Sequence, residues 1–175
     1  MTKLPPASEL HSVRAFAMDV DGVLTDGGIW WGPGDGEWKR FSFLDVMGLS
    51  LARRAGLQLA LISGENSPLV TRFARKLGIE FVAAGCRKKA DALRDFAQSV
   101  QLPLESIVYI GDDVNDLPAM RIAGLAAAPA SAASDVLAQA ALVASRSGGN
   151  GAVREIIEAV LNAQGSSASE IYDRT

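Results

Sequence analysis

The chain has 175 residues, 49% of them hydrophobic and 21% charged, and a formal charge of −3. That length suits one compact domain with its own core, and the acidic balance excludes a generic nucleic-acid binder, which would present a basic face. The single cysteine, Cys86, excludes an internal disulfide and fits a reducing cytoplasm, the expected location.

Residues 1–13 are polar and proline-containing and read as a loose arm without the apolar run of a secretory signal. The only histidine, His11, lies there, where a solvated role is expected. Ala15 to Met18 reads as a short buried strand that ends on Asp19 and Asp21, with Gly22 turning the chain at once. Buried aspartates are costly unless something positive holds them, so the pair suggests a bound cation or a reacting group; an ordinary Asx turn is the alternative. Next, Gly27-Gly28-Ile29-Trp30-Trp31 and Glu37-Trp38-Lys39-Arg40-Phe41 flank the turn Gly32-Pro33-Gly34-Asp35-Gly36 and predict a β-hairpin. It carries all three tryptophans, which so small a unit cannot bury alone, so they are expected to pack on the body or on another subunit.

Helical spacing from Asp45 to Ala55 stops at Gly56. Leu57 to Ile62 reads as a buried parallel strand ending at Ser63-Gly64-Glu65. Pro68 to Leu77 is an amphipathic helix closed by Gly78, Ile79 to Ala83 a short strand, and Lys88 to Val100 another helix. Ser106 to Ile110 is a buried strand that runs into Gly111-Asp112-Asp113-Val114-Asn115-Asp116. After a further helix come a strand (Leu125 to Ala127), a helix near Ala132 to Gln139, a strand (Leu142 to Ala144) and a last helix from Ala152 to Ala163. Residues 165–175 read as a polar, mobile tail. The Ala-rich stretch Ala123 to Ala144 is broken by Pro129, Asp135 and Gln139 and fails as a transmembrane span, so no membrane partner is expected. Strands alternating with helices predict an α/β fold, a doubly wound parallel sheet, as one domain over 14–164.

In a parallel sheet the polar strand ends, Asp19 and Asp21, Ser63, and Asp112, Asp113 and Asp116, fall on one edge, and Arg87-Lys88-Lys89 opens a helix beside them. Carboxylates from two strands with a lysine and a hydroxyl suit a hard cation such as Mg²⁺ and a phosphate. There is no P-loop, no Rossmann glycine fingerprint and no Cys/His set for zinc. Ser63, with no histidine available, suits hydrogen bonding rather than attack.

Asp19-Val20-Asp21-Gly22-Val23-Leu24-Thr25, Ser63, Lys89 and Gly111-Asp112-Asp113-x-x-Asp116 resemble, in order, the four motifs of the haloacid dehalogenase-like (HAD) phosphatases, over roughly Phe16 to Ala163. The resemblance implies a Rossmann-like HAD core. It implies that Asp19 attacks phosphorus and becomes an aspartyl-phosphate, and that Asp21 is the general acid and then the base. It implies Mg²⁺ on Asp19, the main-chain carbonyl of Asp21, and Asp112. Ser63 and Lys89 would hold the phosphoryl oxygens, with Asp113 orienting Lys89.

Asp19 to Ser63 spans 44 positions and Ser63 to Lys89 spans 26, too few for a cap domain in either gap. Within the capless branch, the hairpin and Gly148-Gly149-Asn150-Gly151-Ala152-Val153-Arg154-Glu155 resemble the sugar-acid phosphatases. These act on 3-deoxy-D-manno-octulosonate 8-phosphate (KDO-8-phosphate) or the nine-carbon KDN-9-phosphate, as tetramers whose neighbouring hairpin and tail close the site. The resemblance implies a small anionic sugar-acid phosphate as partner, and a homotetramer with Trp30, Trp31 and Trp38 at its contacts. Ser63-Gly64-Glu65 replaces the usual Thr-Gly-Arg of the octulosonate enzymes, and Leu44-Asp45-Val46-Met47-Gly48 replaces Arg-Asp-Gly-x-Gly. Glu65 with Lys76 resembles the nine-carbon subgroup, with Gly64 and Asn115 also at the substrate, so the resemblance favours KDN-9-phosphate with KDO-8-phosphate close behind; an exposed Glu65–Lys76 ion pair of little energetic value is the alternative. Two rivals remain: a non-catalytic regulatory relative, and a capless phosphatase for another phosphomonoester or a macromolecule.

Overall fold

The computed structural model describes residues 1–34 and 36–173; Asp35 of the predicted hairpin turn and Arg174 and Thr175 of the predicted tail lie outside them. The body is a six-stranded, all-parallel sheet with helices on both faces, in the order β5-β4-β1-β6-β7-β8. Its strands are β1 (Ala15–Met18), β4 (Gln58–Ile62), β5 (Phe81–Ala83), β6 (Ile107–Ile110), β7 (Leu125–Ala128) and β8 (Leu142–Val143). Alternation along β1 sends Phe16 and Met18 to one face and Ala15 and Ala17 to the other. The first face is covered by α1 (Ala7–His11), α2 (Phe43–Arg54), α3 (Pro68–Leu77), α7 (Ala152–Ala163) and α8 (Ala168–Asp173). The second is covered by α4 (Lys89–Ser99), α5 (Leu117–Met120) and α6 (Ser134–Gln139).

Local chemistry sets the element ends. The Ser42 hydroxyl accepts the Leu44 amide, so α2 begins at Phe43, two residues before the predicted Asp45. Ser67 caps α3 in the same way, Pro68 occupies its first turn, and Gly78 closes it at φ +62°. Only the hairpin and α2 separate β1 from β4, and only α3 and β5 separate β4 from α4, so the site has no cap domain above it.

Two terminal expectations are corrected. The arm is not loose: Leu10 and Val13 are buried, α1 lies on α7, and Lys3 pairs antiparallel with Val143 at the sheet edge. Leu10 and Val13, three residues apart, give the short helix an apolar anchor. The tail likewise forms α8, which buries Ile171 and sets the Tyr172 ring 4.9 Å beneath the Arg54 guanidinium. Among the described residues no helix is long and apolar enough to cross a membrane.

The predicted hairpin is present, β2 (Trp30–Trp31) pairing antiparallel with β3 (Glu37–Trp38). Its tryptophans do not pack on the body: Trp30, Trp31 and Trp38 are 69%, 81% and 56% exposed. The Trp38 ring fills the space where a side chain at Gly32 would stand.

Candidate active site

From β1 the chain winds outward through β4 and β5, then crosses to β6 and winds the other way through β7 and β8. The switch point therefore lies between β1 and β6, and open α/β sheets bind ligands beyond the strand ends at such a crevice. Asp19 follows β1 and Asp112 follows β6 by two residues, so the topology alone brings these carboxylates together.

Asp19 is held on both oxygens: Oδ1 accepts the Val20 amide at 2.7 Å and Oδ2 accepts Lys89 Nζ at 2.6 Å. Lys89, the first residue of α4 and buried, also donates to Asp116 Oδ1 at 2.7 Å. That oxygen also accepts the hydroxyl of Tyr109, at 2.8 Å, while Asp116 Oδ2 accepts the amides of Asp112 and Asp113 at 3.0 and 3.3 Å. Asp116 is thus saturated by four donors. Burial and the Asp116 charge push Asp19 up to about 6, against the pull of Lys89. Burial acts to lower Lys89, but the Asp19 and Asp116 charges outweigh it and hold the ammonium above its ordinary value. Burial followed by the same two charges keeps the Tyr109 phenol neutral, well above its usual range.

Asp112 is pushed up to about 7 by burial and by the charges of Asp19 and Asp116, and its buried Oδ1 has no hydrogen-bond partner among the described residues. A buried carboxylate oxygen without a donor, beside a second carboxylate, fits a cation. Oxygens of Asp19, Asp112 and Asp116 lie within 4.8 Å of one another. Since Asp116 is spoken for, Asp19 and Asp112 are the side chains that fit a hard divalent cation. Gly22 lets them meet: a Cβ there would fall 2.0 Å from Asp112 Oδ2, and the residue turns at φ +81°.

Asp21 and Asp19 line one open cavity of about 620 Å³ with Gly64, Glu65, Arg87, Asp112 and Asn115. Asp21 Oδ2 accepts Lys39 Nζ at 2.9 Å, from the residue just after β3. Ser63 is buried under its own turn, where its Oγ accepts the Glu65 amide at 3.1 Å. A Cβ on Gly64 would touch Asn115 Nδ2 at 3.7 Å. Two expectations fail on position. Asp113 is exposed and bonds the Val114 amide; the carboxylate that orients Lys89 is Asp116. Lys76 lies over the Phe43 ring in a separate cavity of about 260 Å³ with Lys39 and Arg72, and no Glu65–Lys76 ion pair exists among the described residues.

Sequence reasoning missed Lys39 and Tyr109, and it named Asp116 among the strand-end carboxylates without giving it the contact with Lys89. Asp116 had a usable signal, standing immediately before Leu117-Pro118 where a helix starts and the chain turns back. Tyr109 and Lys39 had none, because a core strand tyrosine and a hairpin lysine are ordinary without their contacts.

Known proteins match this geometry. The haloacid dehalogenase-like hydrolase family matches residues 46–124. The chain is 35% identical over 158 residues to the 3-deoxy-D-manno-octulosonate 8-phosphate phosphatase KdsC of Escherichia coli K12, covering 90% of this chain and 84% of that protein. A Moraxella catarrhalis 3-deoxy-D-manno-octulosonate 8-phosphate phosphatase, solved with magnesium, phosphate and KDO, superposes with TM-score 0.91 at 35% identity over 97% of both chains. The cobalt-bound Haemophilus influenzae octulosonate 8-phosphate phosphatase gives TM-score 0.86 at 36% identity, covering 90% of this chain and 92% of that one. With its motif carboxylates and lysine gathered at the switch point of this sheet, the chain belongs to the haloacid dehalogenase-like hydrolase family.

Proposed function

We propose that the protein is a Mg²⁺-dependent phosphatase that hydrolyses the phosphomonoester of a 2-keto-3-deoxy sugar acid through an aspartyl-phosphate on Asp19. The observation that carries this is buried Asp19 beside half-buried Asp112, whose Oδ1 has no hydrogen-bond partner among the described residues, with Lys89 braced between Asp19 and Asp116. The names of the relatives support the substrate class.

Asp19, the main-chain carbonyl of Asp21, and Asp112 would hold the cation, which offsets the repulsion between an anionic nucleophile and an anionic phosphate. The protein does the rest. Asp19 attacks phosphorus, the bond from phosphorus to the sugar oxygen breaks, and Asp21 gives that oxygen its proton. Asp21 then takes a proton from water, which attacks the phosphorus of the aspartyl-phosphate. The bond to Asp19 breaks and phosphate leaves. Ser63 and Lys89 hold phosphoryl oxygens throughout, and Asp116 keeps Lys89 aimed. A site with six carboxylates (Asp19, Asp21, Glu65, Asp112, Asp113, Asp116) against Lys39, Arg87 and Lys89 needs added positive charge before a phosphate can enter.

The eight-carbon acid is the first reading, supported by the names of the relatives. Glu65 on the cavity rim supports the nine-carbon acid as the second. Lys76, the other mark of that subgroup, lines a different cavity within the chain. The open site and the exposed tryptophans support a homotetramer in which a neighbour's hairpin closes the cavity, and the single cysteine supports a cytoplasmic enzyme. Catalytic efficiency on KDO-8-phosphate and KDN-9-phosphate, before and after Glu65→Arg, tests the substrate. A clear wild-type preference for the eight-carbon ester removes Glu65 as a nine-carbon determinant, and preference for the nine-carbon ester reverses the order of the readings. Phosphate release from neither ester overturns the sugar-acid class.

A further inference from the structure

One side chain at the exit of the hairpin reaches Asp21. Lys39, immediately after β3, has a side chain with no exposed surface. Its ammonium is 2.9 Å from Asp21 Oδ2 and 3.7 Å from Glu37 Oε1. Glu37 in turn accepts the hydroxyl of Ser67, the cap of α3, at 3.0 Å. One residue on, Arg40 Nη2 donates to Gly149 O at 3.0 Å and to Asn150 Oδ1 at 2.8 Å. Gly149 N donates at 3.0 Å to Val23 O, in the loop that carries Asp21. The hairpin exit is therefore tied to that loop directly through Lys39 and indirectly through Arg40.

A lysine side chain with no exposed surface is costly to place, and packing alone would be served by an apolar one. The cost is offset here by Asp21. We infer that Lys39 is a positioning residue for proton transfer: it aims the Asp21 carboxyl and neutralises the charge left on Asp21 as its proton passes to the leaving oxygen. This rests on the reading of Asp21 as acid and base. Nothing is added to the reaction; the proton still moves from Asp21 to the sugar oxygen, and the ammonium keeps its own.

The consequence is selective. A sugar alkoxide leaves only with a proton, whereas the phenolate of p-nitrophenyl phosphate leaves without one. Lys39→Met removes the charge and keeps an unbranched stem among Phe41 and Phe73. It should lower kcat on the sugar-acid phosphate about tenfold more than kcat on p-nitrophenyl phosphate, a fraction of what general acid catalysis contributes, with KM moving less than kcat. Lys39→Arg should recover most of that ratio. Both rates are read on one sample, so loss of folded protein lowers them together and leaves the ratio unchanged. Equal loss on both substrates, or none, overturns the inference. Asp21→Asn separates the two levels. If it shows the selective loss and Lys39→Met does not, only the role of Lys39 fails. If, in the single-turnover release of sugar or phenol, which precedes the step where Asp21 acts as base for both substrates, Asp21→Asn slows both alike, the reading of Asp21 as the acid fails first.

Discussion

Lys89 Nζ lies 2.7 Å from Asp116 Oδ1, with both side chains buried, and the same ammonium reaches Asp19. The lysine that would meet the phosphoryl group is thus held by a carboxylate three residues beyond the exposed Asp113. Removing the charge of Asp116 leaves Lys89 with one anionic partner and weakens the hold on the Asp112 and Asp113 amides. Asp116→Asn should lower kcat at least about a hundredfold and stability by about 2 kcal/mol. Asp113→Asn should stay within about threefold of wild type, since among the described residues its carboxylate accepts only the neighbouring Val114 amide. Steady-state kinetics with urea unfolding of both variants checks the pair.

The raised carboxylates predict an unusual pH dependence in the metal-free protein. Asp19 at about 6 and Asp112 at about 7 hold protons that the unfolded chain, with ordinary aspartates, has already released. Their contribution to stability is therefore fully present below about pH 4 and is lost as pH rises through 6 and 7. A divalent cation competes with those protons and replaces their effect. Saturating Mg²⁺ should raise the melting temperature by several degrees more at pH 8 than at pH 5. Thermal unfolding with and without Mg²⁺ at the two pH values reads this, and an equal shift at both would contradict it.

The Gly-rich segment before α7 predicts a third outcome. A Cβ on Gly148 would fall 1.8 Å from the carbonyl oxygen of Gly22, which is backbone and cannot swing aside. The segment is also fastened from α2: buried Asp45 accepts the amides of Gly151 and Arg154 at 3.0 and 3.2 Å. Gly148→Ala should therefore displace the loop that carries Asp21, costing about 1–3 kcal/mol of stability and lowering kcat with it. Chemical denaturation and kinetics of this one variant check both effects.

How much of this was legible depended on whether the signal was local. Strand ends and the switch-point edge follow from apolar runs and from Gly78, whereas the caps Ser42 and Ser67 went unread, and the strand-end residues Asp19, Asp21 and Asp112 do line one cavity. Asp113 and Asp116 are indistinguishable as residue types; only the turn that carries the chain back toward α4 exposes one and buries the other. Glu65 and Lys76 were joined by the family resemblance, yet α3 carries Lys76 to the Phe43 ring instead. The arm and tail looked polar on average, and the few apolar residues that dock them, Leu10, Val13 and Ile171, were outweighed by their neighbours. Lys39 needed tertiary structure, since its partner lies 18 residues earlier across the hairpin.

The covalent role of Asp19 is the centre of the account, and trapping it is the most direct test. The enzyme is mixed with Mg²⁺ and the preferred sugar-acid phosphate, quenched in acid during turnover, digested and analysed by mass spectrometry. The account predicts one phosphoryl group on the peptide that contains Asp19, and its absence in a folded Asp19→Asn variant that releases no phosphate. A phosphoryl group on another residue, or wild-type turnover by Asp19→Asn, would contradict it.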